Sequence, residues 1–205
     1  MKLYDSRRAP NPRRVRWVMA EKGIEDIEIV EIDLFKGEHR APDFMAKAGA
    51  PNVPVLEIDD ETTITESLAI CRYLESLYPE PNLFGLNPRE TAVIEMWTRR
   101  VEMLIATPLM IAVRHIHPAL AALETQSAEA GARNRAAAEA ALWRLDARLA
   151  DSPFIAADRI TIADIVAITG LEFARLIRFR APDDLVNVLR WREVMLARPA
   201  AQAGA

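Results

Sequence analysis

Several things are scarce in this sequence, and each scarcity excludes something. Of 205 residues only one is a cysteine, Cys71, which rules out an internal disulfide and a cysteine-rich metal centre and agrees with a reducing compartment. Cys71 falls on an apolar stripe with Leu68 and Leu74, so it reads as a core residue and not as a nucleophile. The seven glycines show no spacing that would cradle a phosphate, and a nucleotide site therefore has no support. Basic charge is not in excess. With a net charge of -4 and a pI near 5.5, the chain lacks the electropositive face that a nucleic acid demands. Long apolar runs are also missing. None approaches the roughly eighteen residues of a membrane span, and the opening MKLYDSRRAP has no apolar signal core, so a cytoplasmic chain is expected. Two of the three histidines, His115 and His117, lie two apart on an expected helix and point in different directions. No third ligand stands nearby, and no metal is expected there.

What is present is enough for a full core: 51% hydrophobic and 27% charged residues, in a length that suits one large domain or two small ones. The two halves differ. In the first, KLYDS from Lys2 and EIVEIDL from Glu28 alternate as strands should, and a helix fits between them. Asn11 is the expected N-cap of that helix, Pro12 suits its first turn, Val15, Val18 and Met19 form one apolar face, and Gly23 stops it. A short helical turn is expected around Phe44 to Lys47. Then VPVLEID, an acidic turn at Asp59 to Glu61, and TTIT read as a hairpin, and Leu68, Cys71, Leu74 and Leu77 give a helix of about three turns. The order is β-α-β-α-β-β-α.

Beyond Gly85 the strand signals vanish. A long amphipathic helix is expected from Asn87 with a bend at Pro108, followed by the alanine-rich RNRAAAEAALWRLDARLAD, by ITIADIVAITGLEFARLIRF and by DDLVNVLRWREVMLA. YPEPNLFGLNP, with three prolines and a glycine, is the natural linker. The fold class is thus α+β in two domains, with boundaries at 1–78, a linker over 79–88, and an all-helical 89–205. Thr161 with Asp164 is a capping-box variant, and an Ala change at either is expected to cost about 0.5–2 kcal/mol. Met103, Met110, Arg114 and Phe179 could line a cleft for a second substrate, but apolar residues at helical spacing are more often ordinary core.

The most informative stretch is VPVLEIDDETTITESLAICRYLESL from Val53. A proline within a sheet belongs at an edge, at a bulge or at the first residue of a strand, so Pro54 is expected to begin an edge strand. If the Val53-Pro54 bond is cis, the Val53 amide and carbonyl face outward as a clamp for an extended peptide. The helix that starts near Glu66-Ser67 offers unpaired N–H groups and a positive dipole end to a carboxylate, and Glu66 offers an anion to an ammonium. Together these ask for a ligand with an amino-acid head and a peptide backbone.

VPVLE followed by TESLAICRYL resembles the glutathione-binding signature of the cytosolic glutathione transferases, and NPRRVRWVMAEKGI from Asn11 resembles their first helix. KGEHR, PEPNLFG and ITIADI also fall where bacterial members carry similar runs, so the resemblance covers almost the whole chain. It implies a thioredoxin-like N-terminal domain, an all-α C-terminal domain, a homodimer, and glutathione as co-substrate. By the same resemblance Glu66 and Ser67 would bind the γ-glutamyl end, the backbone of Val53 before Pro54 the cysteinyl part, and His39 and Asn52 the glycyl carboxylate, Asn52 through a water. The expected reaction is delivery of the glutathione thiol to a small, partly apolar electrophile. One departure concerns the thiol: similar first helices often begin with Ser where this chain has Ala9. Asn11, with two amide donors, and Ser6 are the remaining candidates for holding a thiolate. Two alternatives stay open, a peroxidase, thiol-disulfide reductase or dehalogenase on the same fold, and a non-catalytic binding or regulatory protein.

Overall fold

The structure is a computed structural model, and it describes residues 1–203. They form two compact units, one of Met1–Pro81 joined by the segment from Pro199 onward, the other of Asn82–Arg198.

The first unit is built on a four-stranded sheet. Strand β1 (Lys2–Asp5) leads into helix α1 (Pro10–Lys22), strand β2 (Glu28–Glu31), a 3₁₀ turn over Glu38–Arg40, helix α2 (Pro42–Ala48), strands β3 (Val55–Glu57) and β4 (Thr63–Thr65), and helix α3 (Ser67–Leu77). The order across the sheet is β2-β1-β3-β4, with β1 parallel to β2 and the other pairs antiparallel. This is the expected β-α-β-α-β-β-α succession of a thioredoxin-like unit. Period-two alternation sorts its faces. Leu3 and Leu56, opposite each other, are wholly buried on the side of α1 and α3, whose Val15, Val18, Ile70 and Leu74 are buried with them. On the other face Tyr4 and Val55 meet α2 through Phe44 and Ala48.

Two expectations fail here. Asn11 does not cap α1: the N-cap is Ala9, whose carbonyl accepts from Arg13, and Asn11 sits inside the first turn. The fixed φ of Pro10 suits a first helical position as well as that of Pro12 does, so the helix starts earlier. Nor does Pro54 begin an edge strand, because β3 is interior to the sheet. Its ladder starts at Val55, so the missing proline N–H lies outside the hydrogen-bonded register and costs nothing. Gly23, at φ +64, closes α1 as expected.

The second unit is helical throughout: α4 (Pro88–Val101), a wide π-type stretch over Glu102–Ala106, α5 (Thr107–Ile116), α6 (Ala128–Ala150), α7 (Ile162–Ala174) and α8 (Val186–Leu196). Asn87 caps α4 by accepting from the Glu90 amide at 3.0 Å. The interruption expected at Pro108 appears just before it, since a proline ring crowds the carbonyl four residues earlier and the ladder widens to escape. Helix α7 is apolar on nearly every side, and each residue from Ile162 to Leu171 is buried, as a helix at the centre of a bundle must be. It comes so close to Glu102–Ala106 that a Cβ at Gly170 would stand 2.7 Å from the Ala106 Cα. Asp164, wholly buried, closes the N-terminus of α7. Its Oδ2 accepts from the Thr161 amide and hydroxyl, and its Oδ1 from the Ile155 amide and the Trp191 indole, all at 2.9 Å. Of the candidate cleft residues, Phe179 is core, whereas Met103 is 58% exposed.

Candidate functional site

Strand register decides what lies together. Because Val55 pairs with Tyr4 on one side and Thr65 on the other, the N-terminal end of β3 and the C-terminal ends of β1 and β4 share one edge of the sheet. Val53-Pro54, Ser6 and Glu66-Ser67 therefore meet there, and α1 and α3 both begin there. The Val53-Pro54 bond is cis, as is Glu80-Pro81, which the sequence did not suggest. Asn52 directly precedes the clamp. His39 is carried by the 3₁₀ turn between β2 and α2, where the sequence predicts a loop.

At the start of α3, Glu66 takes φ +67 and ψ 116, a backbone state costly for any residue but glycine. Such strain in a non-glycine residue is concentrated at ligand clamps and active sites. Ser67 follows as the first helical residue and is 5% exposed. Beneath it lies a residue absent from the sequence-based candidates. Arg14, 2% exposed, extends its guanidinium so that Nη1 is 3.4 Å from Ser67 Oγ. Its charge also bears on the Cys71 thiol, where it opposes the dominant effect of burial, which pushes that group up to about 12. A buried cation and a helix N-terminus thus act on the same small region, and both favour an anion there. The signal was in the sequence: Arg14 stands four residues before Val18, on the face that the apolar residues mark as inward.

The corner between β1 and α1 is tightly organised. The buried carboxylate of Asp5 forms an ion pair with Arg16, which also donates to the Arg7 carbonyl at 2.8 Å, and the Arg7 amide donates to Glu31 at 2.9 Å. Burial raises the Asp5 pKa, although Arg16 works against it. Ser6 is buried within this corner, while Arg7 and Arg8 are exposed. Among the described residues, the buried Oδ1 of Asn11 and Nδ1 of His39 have no hydrogen-bond partner. Buried polar atoms are almost always satisfied, so each of these two has capacity for one further hydrogen bond, the Asn11 oxygen as an acceptor only. Burial, with help from the Arg40 charge, lowers the His39 pKa, and the imidazole is neutral at neutral pH, with one ring nitrogen left as a donor. No helix is long and apolar enough to cross a membrane, and no cluster of three or more potential metal ligands occurs among the described residues.

Comparison with known proteins identifies the family. Residues 3–82 match the family model "Glutathione S-transferase, N-terminal domain", and residues 101–199 match "Glutathione S-transferase, C-terminal domain". Over 98% of this chain and 87% of its own length, "Glutathione S-transferase 2" of Saccharomyces cerevisiae is 37% identical. The chain belongs to the glutathione S-transferase family. Solved members of the family superpose over nearly all of it. The crystal structure of Gtt2 from Saccharomyces cerevisiae gives a TM-score of 0.92 at 36% identity and covers 100% of both chains. A glutathione S-transferase domain-containing protein from Marinobacter aquaeolei gives 0.90 at 38% identity, over 98% of this chain and 99% of that one. The thioredoxin-like sheet followed by a helical domain is thus the glutathione S-transferase fold.

Proposed function

We propose that this glutathione S-transferase binds glutathione at the edge of its sheet and conjugates the thiol to small, partly apolar electrophiles, as a cytoplasmic homodimer in detoxification. Residues 1–78 would be the glutathione-binding domain, joined through 79–88 to a helical domain that begins at 89, with the segment from Pro199 returning to the first unit. The observation that carries the reading is the strained Glu66 beside a buried Ser67 with the Arg14 cation beneath it, one strand over from Val53-Pro54. The α-carboxylate of the γ-glutamyl group meets the Ser67 hydroxyl and the α3 amides, and its ammonium meets Glu66. The Val53 backbone pairs with the cysteinyl part, and His39 and Asn52 take the glycyl carboxylate. Cytoplasmic residence is supported by the lone thiol, which is buried and unpaired with another cysteine. Neither a metal, a nucleic acid nor a membrane has a part in this reading.

Activation asks for a thiolate at neutral pH. Lowering a thiol from about 8.5 by roughly 2 units takes about 2.7 kcal/mol of preferential stabilisation of the anion. Ala9, at the mouth of α1, has no side-chain hydroxyl to give. Asn11 in the first turn, with Ser6 as the alternative, then supplies the polar group nearest the helix mouth, and the α1 dipole adds to it. The same absence at Ala9 favours a second reading, a glutathione-binding protein with little or no turnover. Peroxide or disulfide reduction, or dehalogenation, would use the same thiolate.

Calorimetry with Ser67→Ala tests the binding site. Loss of about 1–3 kcal/mol, roughly 5- to 150-fold in Kd, is expected, and unchanged binding removes Ser67 from the site. Turnover of chlorodinitrobenzene supports conjugation. Turnover of peroxides or mixed disulfides alone selects reductive chemistry, and binding without any turnover selects the second reading.

A further inference from the structure

The face of the sheet beneath α2 carries a polar cluster that the binding reading does not use. Tyr4 lies opposite Val55, so Glu57, two residues along β3, is its diagonal neighbour on the same face. The Tyr4 hydroxyl donates to Glu57 Oε2 at 2.8 Å. Lys47, from the last turn of α2, forms an ion pair with that same carboxylate oxygen and donates to the Tyr4 hydroxyl at 3.0 Å. Its ammonium also stands 5.3 Å from the Tyr4 ring. Thr63 on β4 donates to the Lys47 carbonyl at 2.9 Å, fastening the end of α2 to the far strand of the same hairpin. The hydrogen bonds from Lys47 and then Tyr4 hold the Glu57 carboxyl below its ordinary value, in keeping with a fixed ion pair.

This cluster matters because of how little else fixes α2. The helix has seven residues and no side-chain N-cap, and it buries only Phe44 and Ala48. A helix that short has little stability of its own. Yet the chain enters it from the turn that carries His39 and leaves it toward Asn52 and Val53. Wherever α2 sits, the two residues assigned to the glycyl carboxylate sit with it, whereas the cysteinyl clamp is fixed to β3, the strand that supplies Glu57.

We infer that Tyr4, Glu57 and Lys47 are positioning residues that set the distance between the cysteinyl clamp on β3 and the glycyl-end groups beside α2, and so determine preference for the tripeptide over γ-glutamylcysteine. The inference rests on the glutathione reading above. Lys47 does not itself contact ligand in this scheme, because its ammonium is committed to Glu57 and Tyr4.

The test compares Kd values for glutathione and γ-glutamylcysteine in wild type, Lys47→Met, Glu57→Gln and Tyr4→Phe. Each variant should weaken glutathione by about fivefold or somewhat less, while the dipeptide, which lacks the glycyl group, changes less than twofold. Lys47→Arg should recover most of the preference. Raising the salt should erode the preference of wild type more than that of Lys47→Met. A variant that merely loosened the fold would lose both ligands alike, and that result overturns the inference. Stronger glutathione binding in Glu57→Gln also overturns it, since a released Lys47 would then be reaching the glycyl carboxylate directly. Should Lys47→Met not fold, Tyr4→Phe removes one hydroxyl only and decides the matter by the same ratio. Wild type that takes up neither ligand refutes the glutathione reading and this inference with it, whereas parallel losses in the variants refute the inference alone.

Discussion

Asp164 gives the sharpest test of how the helical unit is held. As a capping residue alone it would contribute about 0.5–2 kcal/mol, but its carboxylate accepts four hydrogen bonds in a site with no exposure. In Asp164→Ala the Thr161 hydroxyl can rotate toward another acceptor, while the amides of Ile155 and Thr161 and the Trp191 indole N–H lose theirs. At about 1–3 kcal/mol for each stranded buried donor, with part regained by water entering the small cavity and by no longer burying a charge, the net cost is about 3–5 kcal/mol. Asp164→Asn keeps an acceptor for Ile155 and Trp191 but turns an N–H₂ toward the Thr161 amide, so it should cost less, about 1–3 kcal/mol, and Trp191→Phe about 1–2 kcal/mol. Burial raises the Asp164 pKa, so below that raised value the folded state takes up a proton that the unfolded chain does not yet bind. Wild type should accordingly gain on Asp164→Asn as the pH falls toward the ordinary carboxylate value. Urea unfolding followed by tryptophan fluorescence and far-ultraviolet circular dichroism measures all three variants. Asp164→Ala within 1 kcal/mol of wild type would refute the argument, because the four bonds would then be contributing no more than solvent does.

Three further outcomes follow from particular contacts. Asn11→Ala should raise the apparent pKa of bound glutathione in the pH profile of conjugation, and an unaltered profile clears Asn11 and turns attention to Ser6. Cys71, with its thiol pushed up to about 12, should be about a thousandfold poorer in thiolate than an ordinary cysteine and should resist Ellman's reagent at pH 8 until the chain is unfolded; rapid labelling of native protein would disprove its placement in the core. Lys22→Met withdraws a fully buried ammonium from Glu75 at 2.7 Å and from the carbonyls of Tyr78 and Pro81 at 2.7 and 2.8 Å, and should cost about 3 kcal/mol in urea unfolding, a loss below 1 kcal/mol being the contrary result.

The parts of this molecule that were legible in its sequence are those fixed by neighbours along the chain. Alternation from Lys2 and Glu28, the glycine after Lys22, and the acidic turn before Thr62 each act within a few residues, and the succession of strands and helices followed from them. Glu66-Ser67 and Val53-Pro54 were equally readable, since a helix start and a proline each announce a backbone state. Where two local signals competed, sequence could not arbitrate. Pro10 and Pro12 both suit a helical first turn, so capping moved from Asn11 to Ala9. An interior strand tolerated Pro54 because pairing began one residue later.

Charge was the least legible property, because its meaning depends on partners brought by folding. Arg7, Arg8, Arg13, Arg14 and Arg16 form one basic run in the sequence, yet they meet different fates. Arg16 closes on Asp5, Arg13 reaches the Ala201 carbonyl at 3.2 Å, Arg7 and Arg8 face solvent, and Arg14 is buried against Ser67. Lys47, Glu57 and Tyr4 likewise come from three separate elements. Each member alone reads as a surface residue or a strand residue, and only the register of β1 against β3 brings them under α2. The residues proposed to touch a ligand through backbone geometry can therefore be found by reading along the chain. Those proposed to tune its affinity, Arg14 by charge and the Tyr4 cluster by position, become visible only when the sheet is assembled, and if Arg14 and Ser67 act together on a ligand their coupling should show in double-mutant binding measurements rather than in either substitution alone.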